Sequence, residues 1–571
     1  MKTIRQIVGG LNGWRLLTAV LVLVVAGLAL WWGSVNQDEG WYLYAAQMVR
    51  DGRMPYRDFF FTQGPALPIV YSALAPIWGP ESPLHGLLGG RVVTLALGLL
   101  ATLAACALAR RLVASSQRPA AGLAVFALLA GNLYHVYFTT IPKTYALGSL
   151  FLINGFLLLA VGLGLGRDTA PALGRRIAAC VASGMAMAFA SGTRISLILV
   201  LPVVGCFLLV RFRAWRWAFL WFGLGGLIGL FLTYGFFALD PSSRAGLLAA
   251  QQYHAARGGF DPFFAIGAVS RLVRGYAALG VVLFSGLLVN NGFKGLNGLK
   301  GEEPANDLNG LNGFNGLKGE EFNGFNGLNG LKGLKSEGYF LWMLGLSFGL
   351  VFILQLSAPF PYDDYQVPLM GLLTVLIVVW VLRRGVSPIR QAGFAVLAAG
   401  MVSASSPMLQ QWTVYGQDRF WSHPKERTEL SKLRFMAEEI NLLDPGGSTL
   451  LTQDLYLAVE AGRKVPAGLE MGPFSYFPDL SSDAARARHV MNTEMLEKLL
   501  AAAPANVAAF SGYAFAIAAP KCDEVPFDRQ KRFFRILKEN YEVADTEPNF
   551  GQNATTLLVL RRKANAQETA K

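Results

Sequence analysis

The chain has 571 residues, of which 53% are hydrophobic and 15% are charged. Soluble globular proteins normally have about 25% charged residues, so this composition excludes a chain that is soluble throughout and indicates a membrane protein. The net charge of +13 does not indicate nucleic-acid binding, because the basic residues lie in short loops between apolar runs and not on one polar face.

The first predicted element is an apolar run at residues 16–33, which follows Lys2, Arg5 and Arg15. Its start is similar to a signal peptide. No small-residue cleavage site follows the run, however, and many more apolar runs come later in the chain. We therefore expect an uncleaved first transmembrane helix whose N-terminus is cytoplasmic.

The next segment, residues 34–86, carries the most unusual polar residues of the chain. Asp38 and Glu39 stand side by side at its start, where ionised groups are costly unless they face water, pair, or handle a polar substrate. Residues 41–49 place apolar and aromatic side chains on one side, which predicts a helix along the membrane interface. A carboxylate that opens such a helix can cap its amides, so capping is the structural alternative to a chemical role for Asp38.

Ten further apolar runs of roughly helical membrane length give about eleven predicted transmembrane helices in all. Alternate loops carry the Lys and Arg excess that the positive-inside rule requires, as in the Arg pairs at 110–111, 175–176 and 383–384. The turn 191–194 decides the side of every later loop, and we interpret it as an external turn. The ten runs are 87–109, 122–138, 145–165, 177–190, 195–210, 217–239, 277–289, 339–356, 367–382 and 392–409. The segments then expected outside are 34–86, 139–144, 240–274, 357–366 and everything from 410 onward.

Residues 291–335 form a low-complexity, glycine-rich insert built of Asn-Gly-Leu, Asn-Gly-Phe and Lys-Gly-Leu triplets. Collagen also has glycine at every third position, but it needs abundant proline, and this tract contains only Pro304. Such composition has few ways to build a packed core. We expect a disordered repeat in a cytoplasmic loop, without chemistry of its own.

The pattern changes from about residue 410 to that of a soluble α/β domain, residues 410–571. Short strands are predicted at 449–452, 506–510 and 555–560, with helices at 426–442, 484–502 and 527–540 between them. We expect an extracytoplasmic domain of two or three layers behind the membrane domain, residues 1–409.

Several motifs around the first external segment resemble one family. They are the Asp38-Glu39 pair, the run Gly-Trp-Tyr-Leu-Tyr-Ala-Ala at 40–46, Pro-Tyr-Arg-Asp at 55–58, and Gly64-Pro65 before the second span. Together they resemble the membrane glycosyltransferases of the GT-C fold, nearest to the protein O-mannosyltransferase and lipid A aminoarabinose transferase group. The resemblance covers residues 1–409 in topology, but motif-level similarity is confined to 38–71 and, more weakly, to 361–368. The motif-level resemblance does not include the glycine-rich insert or the C-terminal domain.

The resemblance implies a reaction. In that family the acidic residue at the start of the first external loop is catalytic, and the sugar donor is joined to polyprenyl phosphate. Asp38 would be the general base for a hydroxyl of a lipid, glycan or protein acceptor, and Glu39 would share that role or bind the acceptor. Positive charge for the leaving phosphate would come from Lys143, Arg194 or Arg57. The protein would lie in the inner (plasma) membrane.

A second group of candidate substrate-binding residues lies in the last external segment, since the family has a late external loop at the border of its substrate cavity. It consists of Tyr362, Asp363, Asp364 and Tyr365. Tyrosine beside carboxylates is common at sugar sites, although a solvated loop at an aromatic membrane belt gives the same pattern. A carboxylate pair also suits a divalent cation, but no His or further Asp lies near Asp38 in sequence. The cysteines and histidines show no ligand spacing either, so no metal or other cofactor is expected.

Two other classes of membrane protein share some of these features. A transporter or flippase for a lipid-linked sugar would also have many helices, but it would be expected to show inverted repeats and broken or charged helices at the bilayer midplane. A polymer ligase would be expected to centre on a large late external loop. The concentration of polar candidates in the first external segment favours a transferase.

Overall fold

The computed structural model describes residues 11–166, 171–211, 217–297, 336–417 and 421–564. The predicted glycine-rich insert, 291–335, lies outside the described residues from position 298 onward. Its first residues, 291–297, belong to a long helix that begins at Pro262.

Two long apolar helices flank a compact polar segment near the N-terminus. The elements are α1 (Leu11–Trp31), α2 (Gln37–Arg50), α3 (Ala66–Ala73), α4 (Ala75–Trp78) and α5 (Gly86–Arg111). Helix α2 is capped by Asn36, whose side chain accepts a hydrogen bond from the amide of Asp38. The carboxylate of Glu39 accepts in return from the amide of Asn36 at 2.8 Å, which completes a capping box. The cap that was considered for Asp38 is therefore supplied by its neighbours.

The middle of the chain consists of helices joined by short connections. They are α6 (Arg118–Ala130), α7 (Leu133–Phe138), α8 (Thr144–Gly162), α9 (Leu173–Thr193), α10 (Val200–Arg211), α11 (Trp217–Leu230), α12 (Phe236–Leu239), α13 (Pro241–Ala255), α14 (Pro262–Asn297), α15 (Ser336–Leu356), α16 (Val367–Arg383), α17 (Pro388–Ala404) and α18 (Pro407–Thr413). Turns of 3-10 helix at Ile195–Leu199 and Asp363–Gln366 precede α10 and α16, and a π-helical turn joins α11 to α12.

Within the described ranges, eight helices are long and apolar enough to cross a membrane, or nine if the bent pair α17 and α18 forms one span. The eleven predicted runs fall mainly on helical residues, but some are too short or too broken to count as single spans. The run at 122–138 is divided at Asn132, whose side chain caps α7 by accepting from the amide of His135. The run at 195–210 is a shorter apolar helix.

The two ends of the helical bundle differ in chemistry. At one end, Arg111, Arg118 and Arg383 donate to the carbonyls of the loop residues Leu165, Gly166 and Leu112 respectively. These loops are the ones predicted to be cytoplasmic. The turn 191–194 lies at the other end, because Gly192 packs directly against the backbone of Gly64 in the first external segment. Residues 191–193 are the last residues of α9, and the chain leaves the helix at Arg194. The predicted turn is therefore a helix end, which lies at the same end of the bundle as 34–86.

Strands are described only after α18, among a second set of helices. The elements are β1 (Val414–Gln417), β2 (Ser422–Pro424), α19 (Glu429–Leu443), α20 (Leu455–Glu460), α21 (Ser482–Ala487), α22 (Thr493–Ala502), β3 (Val507–Phe510), β4 (Ile517–Ala518), β5 (Asp523–Glu524), α23 (Phe527–Asn540), β6 (Tyr541–Phe550) and β7 (Thr555–Arg562). The largest sheet is antiparallel in the order β3-β7-β6. The predicted strand at 449–452 is wrong in extent, because these residues form only isolated bridges, to Lys464 and Ala508. The predicted boundary at 409/410 falls inside α18.

Helix α2 is buried between the membrane helices and this C-terminal region. The Tyr44 hydroxyl accepts from the amide of Val465 at 2.9 Å, and the backbone of Gly40 lies against that of Tyr456 with no space for a Cβ atom. The carboxylate of Glu460 accepts from the amide of Leu87 at the start of α5 at 2.8 Å. The predicted helix at 41–49 is present, but protein covers it, so it does not lie free along a membrane interface.

Candidate functional site

The two adjacent carboxylates on α2 point into different surroundings. Glu39 is fully buried and pairs with the equally buried Arg91 of α5, at 2.7 Å. The side chain of Asp38 is 29% exposed and faces the loops at the ends of the other helices. Successive residues of a helix are about 100° apart around its axis. The carboxylate of Glu39 can therefore lie in the core while that of Asp38 lies at a partly exposed site.

Asp38 is joined to the last external segment through one lysine. The ammonium of Lys143, just before α8, lies 2.8 Å from Oδ2 of Asp38 and 2.9 Å from Oδ2 of Asp364. Tyr145 donates to the same oxygen of Asp364 at 2.9 Å, and the Trp41 indole donates to Oδ1 of Asp38 at 3.0 Å. Residues far apart in the chain thus form one charged cluster, which we call the carboxylate–lysine cluster: Asp38, Lys143 and Asp364.

The charges of this cluster stabilise one another. Burial by itself would raise the pKa of Asp38, but the ammonium of Lys143 and the N–H of Trp41 outweigh it and hold that pKa below its usual value. Burial by itself would lower the pKa of Lys143, but Asp364 and Asp38 raise that pKa well above its usual range. Asp38 is therefore a carboxylate, and Lys143 an ammonium, at neutral pH.

A cation lies beside this cluster without a carboxylate partner among the described residues. The guanidinium of Arg194 stacks over the ring of Tyr365 at 4.0 Å and near the ring of Tyr145 at 5.4 Å. Its Nε atom is shielded from solvent and has no hydrogen-bond partner among the residues that the structure describes. A buried N–H group without a partner is unfavourable, so this arrangement is one that an anionic ligand would satisfy.

The structure adds Arg257, which lies in the segment 240–274 and was not among the candidate site residues. It follows α13 and donates to Sγ of Cys522 at 3.1 Å, while its guanidinium lies 5.0 Å from the ring of Tyr253. Its Nε is also buried without a partner. Its charge contributes to the low pKa of Asp38, which places it near the carboxylate–lysine cluster. No motif in the sequence marks this arginine, because only the fold brings α13 over the site.

The C-terminal region also contributes residues near the carboxylate–lysine cluster. Burial raises the pKa of Tyr513 to about 12, with Cys522, Tyr362 and Asp38 acting in the same direction. Tyr513 therefore lies within electrostatic range of both Asp38 and Tyr362. The region after residue 410 is therefore part of the wall of the site.

Asp363 and Tyr362 lie at the edge of the site. Asp363 pairs with Arg271 at 3.2 Å and accepts from the Tyr134 hydroxyl at 3.1 Å. Tyr362 is 46% exposed and packs edge-to-face on Phe264 and Tyr365. Asp364 turns inward and Asp363 turns to its own arginine, so the two adjacent carboxylates are again divided between different partners.

Two candidates from the sequence lie outside the carboxylate–lysine cluster. Arg57 pairs with the neighbouring Asp58 at 2.8 Å, and its side chain is 39% exposed. Glu39 is enclosed by Arg91 and the α2 cap. Of the nine candidates, the structure brings together Asp38, Lys143, Arg194, Asp364 and Tyr365, with Tyr362 and Asp363 at the edge.

Metal ligation was also considered for this site. Among the described residues, no group of three or more His, Cys, Asp or Glu side chains is arranged to hold a metal ion. Each carboxylate of the cluster also has the ammonium of Lys143 as its cationic partner.

Comparison with solved structures gives a match along nearly the whole chain. ArnT from Cupriavidus metallidurans bound to undecaprenyl phosphate has a TM-score of 0.59 at 13% identity, covering 97% of this chain and 99% of that chain. Its apo state gives 0.57 with the same identity and coverage. The Archaeoglobus fulgidus oligosaccharyltransferase tethered with an acceptor peptide gives 0.43 at 14% identity, over 92% of this chain and 72% of that one, which is too low to support a conclusion. No protein-family model and no curated protein matches the sequence.

This likeness shows the fold. The expectation of a GT-C fold is confirmed: the chain is a multi-pass helical membrane protein with a strand-containing C-terminal region. Because the match extends over 97% of the chain, it includes the C-terminal region, for which sequence reasoning had no counterpart.

Proposed function

We propose that the protein is a glycosyltransferase that moves a sugar from a polyprenyl phosphate to a hydroxyl group of an acceptor. The observation that carries this proposal is the carboxylate–lysine cluster, with Arg194 and Arg257 beside it. The carboxylate of Asp38 can accept a proton, and the cationic groups beside it can donate hydrogen bonds to an anion. All of them lie at one end of the helical bundle. The shared fold with ArnT, which has been solved with undecaprenyl phosphate, supports the same reaction.

In the proposed step Asp38 is the general base. The acceptor oxygen attacks the anomeric carbon of the donor, and its proton passes to the carboxylate of Asp38. The bond between the anomeric carbon and the phosphate oxygen breaks, and its electron pair stays on the phosphate. Attack from the face opposite to the leaving group inverts the configuration at the anomeric carbon. Asp38 suits this role because it is ionised and partly exposed to the cavity.

The leaving phosphate needs positive charge as the bond breaks. Lys143 has three N–H donors, and two of them are directed to Asp38 and Asp364. The third is left for a phosphate oxygen. Arg194 and Arg257 offer guanidinium groups whose Nε atoms have no partner, and charge-assisted bonds from such groups to phosphate are strong. We assign donor phosphate binding to these three residues.

The acceptor is a lipid, glycan or protein, and it would enter between the last external segment and the C-terminal region. Tyr513, Tyr362 and Tyr365 line this approach. The arginine-rich loops lie at the opposite end of the bundle. By the positive-inside rule, this supports our proposal that the site and the C-terminal region are on the extracytoplasmic side of the inner membrane. A transporter would be expected to hold its polar residues near the midplane, whereas this cluster lies at helix ends.

An Asp38→Asn variant tests the proposal. Membranes with the native chain, the variant, or Asp51→Asn would be incubated with radiolabelled polyprenyl-phosphate sugars and an acceptor extract. Asp51 lies at the end of the same helix and pairs with the exposed Lys464, so its variant is the matched control and should keep full activity. Loss of a general base lowers the rate by about 10²–10⁴-fold. Native-like transfer by a folded Asp38→Asn chain would refute the assignment of the base.

A further inference from the structure

We propose that the ammonium of Lys143 replaces a divalent cation in this site, so that transfer requires no bound metal ion. This inference rests on the proposed glycosyl transfer and concerns how its charges are balanced. A carboxylate from the first external segment and another from the last meet beside the proposed phosphate site. Paired carboxylates near a phosphate are a common setting for Mg²⁺ or Mn²⁺. Here a lysine side chain occupies the point between them.

The distances fit an ammonium group and not a metal. Nζ of Lys143 lies 2.8 Å from Asp38 and 2.9 Å from Asp364. Mg²⁺ binds oxygen ligands at about 2.0–2.1 Å in a nearly ideal octahedron. Two carboxylate oxygens spaced around an ammonium would have to move inward, and Lys143 would have to leave, before a metal ion could bind.

The surroundings hold the lysine in place. Its side chain is only 8% exposed, and a charge buried to that extent needs paired groups of opposite sign. The remaining oxygen of Asp38 is bonded to Trp41, and Tyr145 shares Oδ2 of Asp364 with the lysine. These neutral donors fix the two carboxylates toward Lys143 without competing for its charge.

The same geometry predicts a gain of metal binding when the lysine is removed. Without the ammonium, two carboxylates would face each other across a small polar space near Arg194. Repulsion between them would be relieved by a divalent cation and its water ligands. The inference therefore predicts opposite responses to metal in the native chain and in a Lys143→Ala variant.

The first measurement uses the purified full-length native chain in detergent. Bound Mn²⁺ would be measured by electron paramagnetic resonance, and transfer activity would be measured with and without EDTA. We expect no Mn²⁺ binding that depends on Asp364, and no change of activity in EDTA. Binding of one Mn²⁺ that Asp364→Asn abolishes, or loss of activity in EDTA with recovery in Mn²⁺, would overturn the proposal. The binding arm needs no substrate, so it remains decisive even if the protein is not a glycosyltransferase.

The second measurement uses Lys143→Ala, with Lys464→Ala as the control because that lysine is 72% exposed. We expect Lys143→Ala to bind one Mn²⁺ and to lose about 100-fold in rate, the loss typical of removing one electrostatic donor, with partial recovery in Mn²⁺. The double variant with Asp364→Asn should bind none. If Lys143→Ala folds and binds no Mn²⁺, the proposal is wrong. If that variant does not fold, Lys143→Met replaces it, and the native-chain measurement decides by itself.

Discussion

Arg91 of α5 donates from Nε and Nη2 to the two carboxylate oxygens of Glu39 on α2, at 2.7 and 2.8 Å, and neither side chain is exposed. The same guanidinium donates to the carbonyls of Leu30, Gly33 and Ser34, where α1 ends. One buried ion pair thus connects the ends of α1, α2 and α5. It fixes the rotation of α2 and so directs Asp38, the next carboxylate around that helix, to the cavity.

Glu39→Gln should destabilise the protein. Removing one partner of a buried ion pair leaves the other charge unpaired and costs about 3–5 kcal/mol. The midpoint of thermal unfolding in detergent should fall clearly. The control is Glu81→Gln, whose carboxylate pairs with Arg50 at the surface and is 89% exposed; exposed pairs contribute little. Equal midpoints for the two variants would contradict the assignment of Glu39 to a positioning role.

Trp41→Phe should move the acid limb of the pH–rate profile to higher pH. In the native chain burial, which raises the pKa of Asp38, is outweighed by Lys143 and Trp41. Asp38 acts as a base only when it is ionised, so the rate falls only as the pH drops through this low pKa. Between pH 7 and 5 Asp38 stays ionised and causes no loss of rate. Removing the indole N–H takes away one stabilising bond and raises the pKa. The measurement is kcat/KM against pH, with Trp31→Phe as control because Trp31 is 48% exposed on α1. If the acid limb of the profile does not move, Trp41 does not lower the pKa of the catalytic base.

Arg194→Ala and Arg257→Ala should weaken binding of the donor. Hydrogen bonds to charged groups contribute about 1.5–3 kcal/mol, or roughly 10–150-fold in affinity. We expect KM for the polyprenyl-phosphate sugar to rise by about that factor, and binding of sugar-free polyprenyl phosphate to weaken in parallel. The control is Arg244→Ala. Arg244 is exposed on α13, the helix that precedes Arg257, so its variant should leave both KM and the affinity for polyprenyl phosphate unchanged. If the affinity is unchanged in both site variants, the assignment of these two arginines to phosphate binding is wrong.

Gly40→Ala should separate α2 from the C-terminal region. An added Cβ would overlap the backbone of Leu455 and Tyr456, which cannot yield as a flexible side chain could. Overpacking of this kind costs about 1–3 kcal/mol. Limited proteolysis should release a C-terminal fragment faster than in the native chain, whereas Gly174→Ala, which has open space around it, should not change the rate. Equal rates for both would show that this contact does not hold the two regions together.

The sequence predicted the helical membrane architecture because apolar runs in this chain are long and uninterrupted. It was less informative where polar residues divide a run, as at Asn132, since a side chain that caps one short helix is visible only with its backbone. The strand β7 was predicted from the short, largely apolar run at 555–560. Its partner β6 was not, because residues 541–550 are mostly polar and exposed and carry little hydrophobic pattern.

Sequence analysis by itself determined that this is a polytopic membrane protein and that Asp38, Lys143, Arg194 and the 362–365 segment lie at the same end of the helices. Hydropathy and loop charge are local properties of the chain, so they can be obtained without coordinates. Only the tertiary structure decided that Lys143 bridges Asp38 and Asp364, that Glu39 belongs to Arg91, and that Arg257 and Tyr513 join the site. Those relationships depend on how helices rotate and pack over hundreds of residues of separation, which no local pattern specifies.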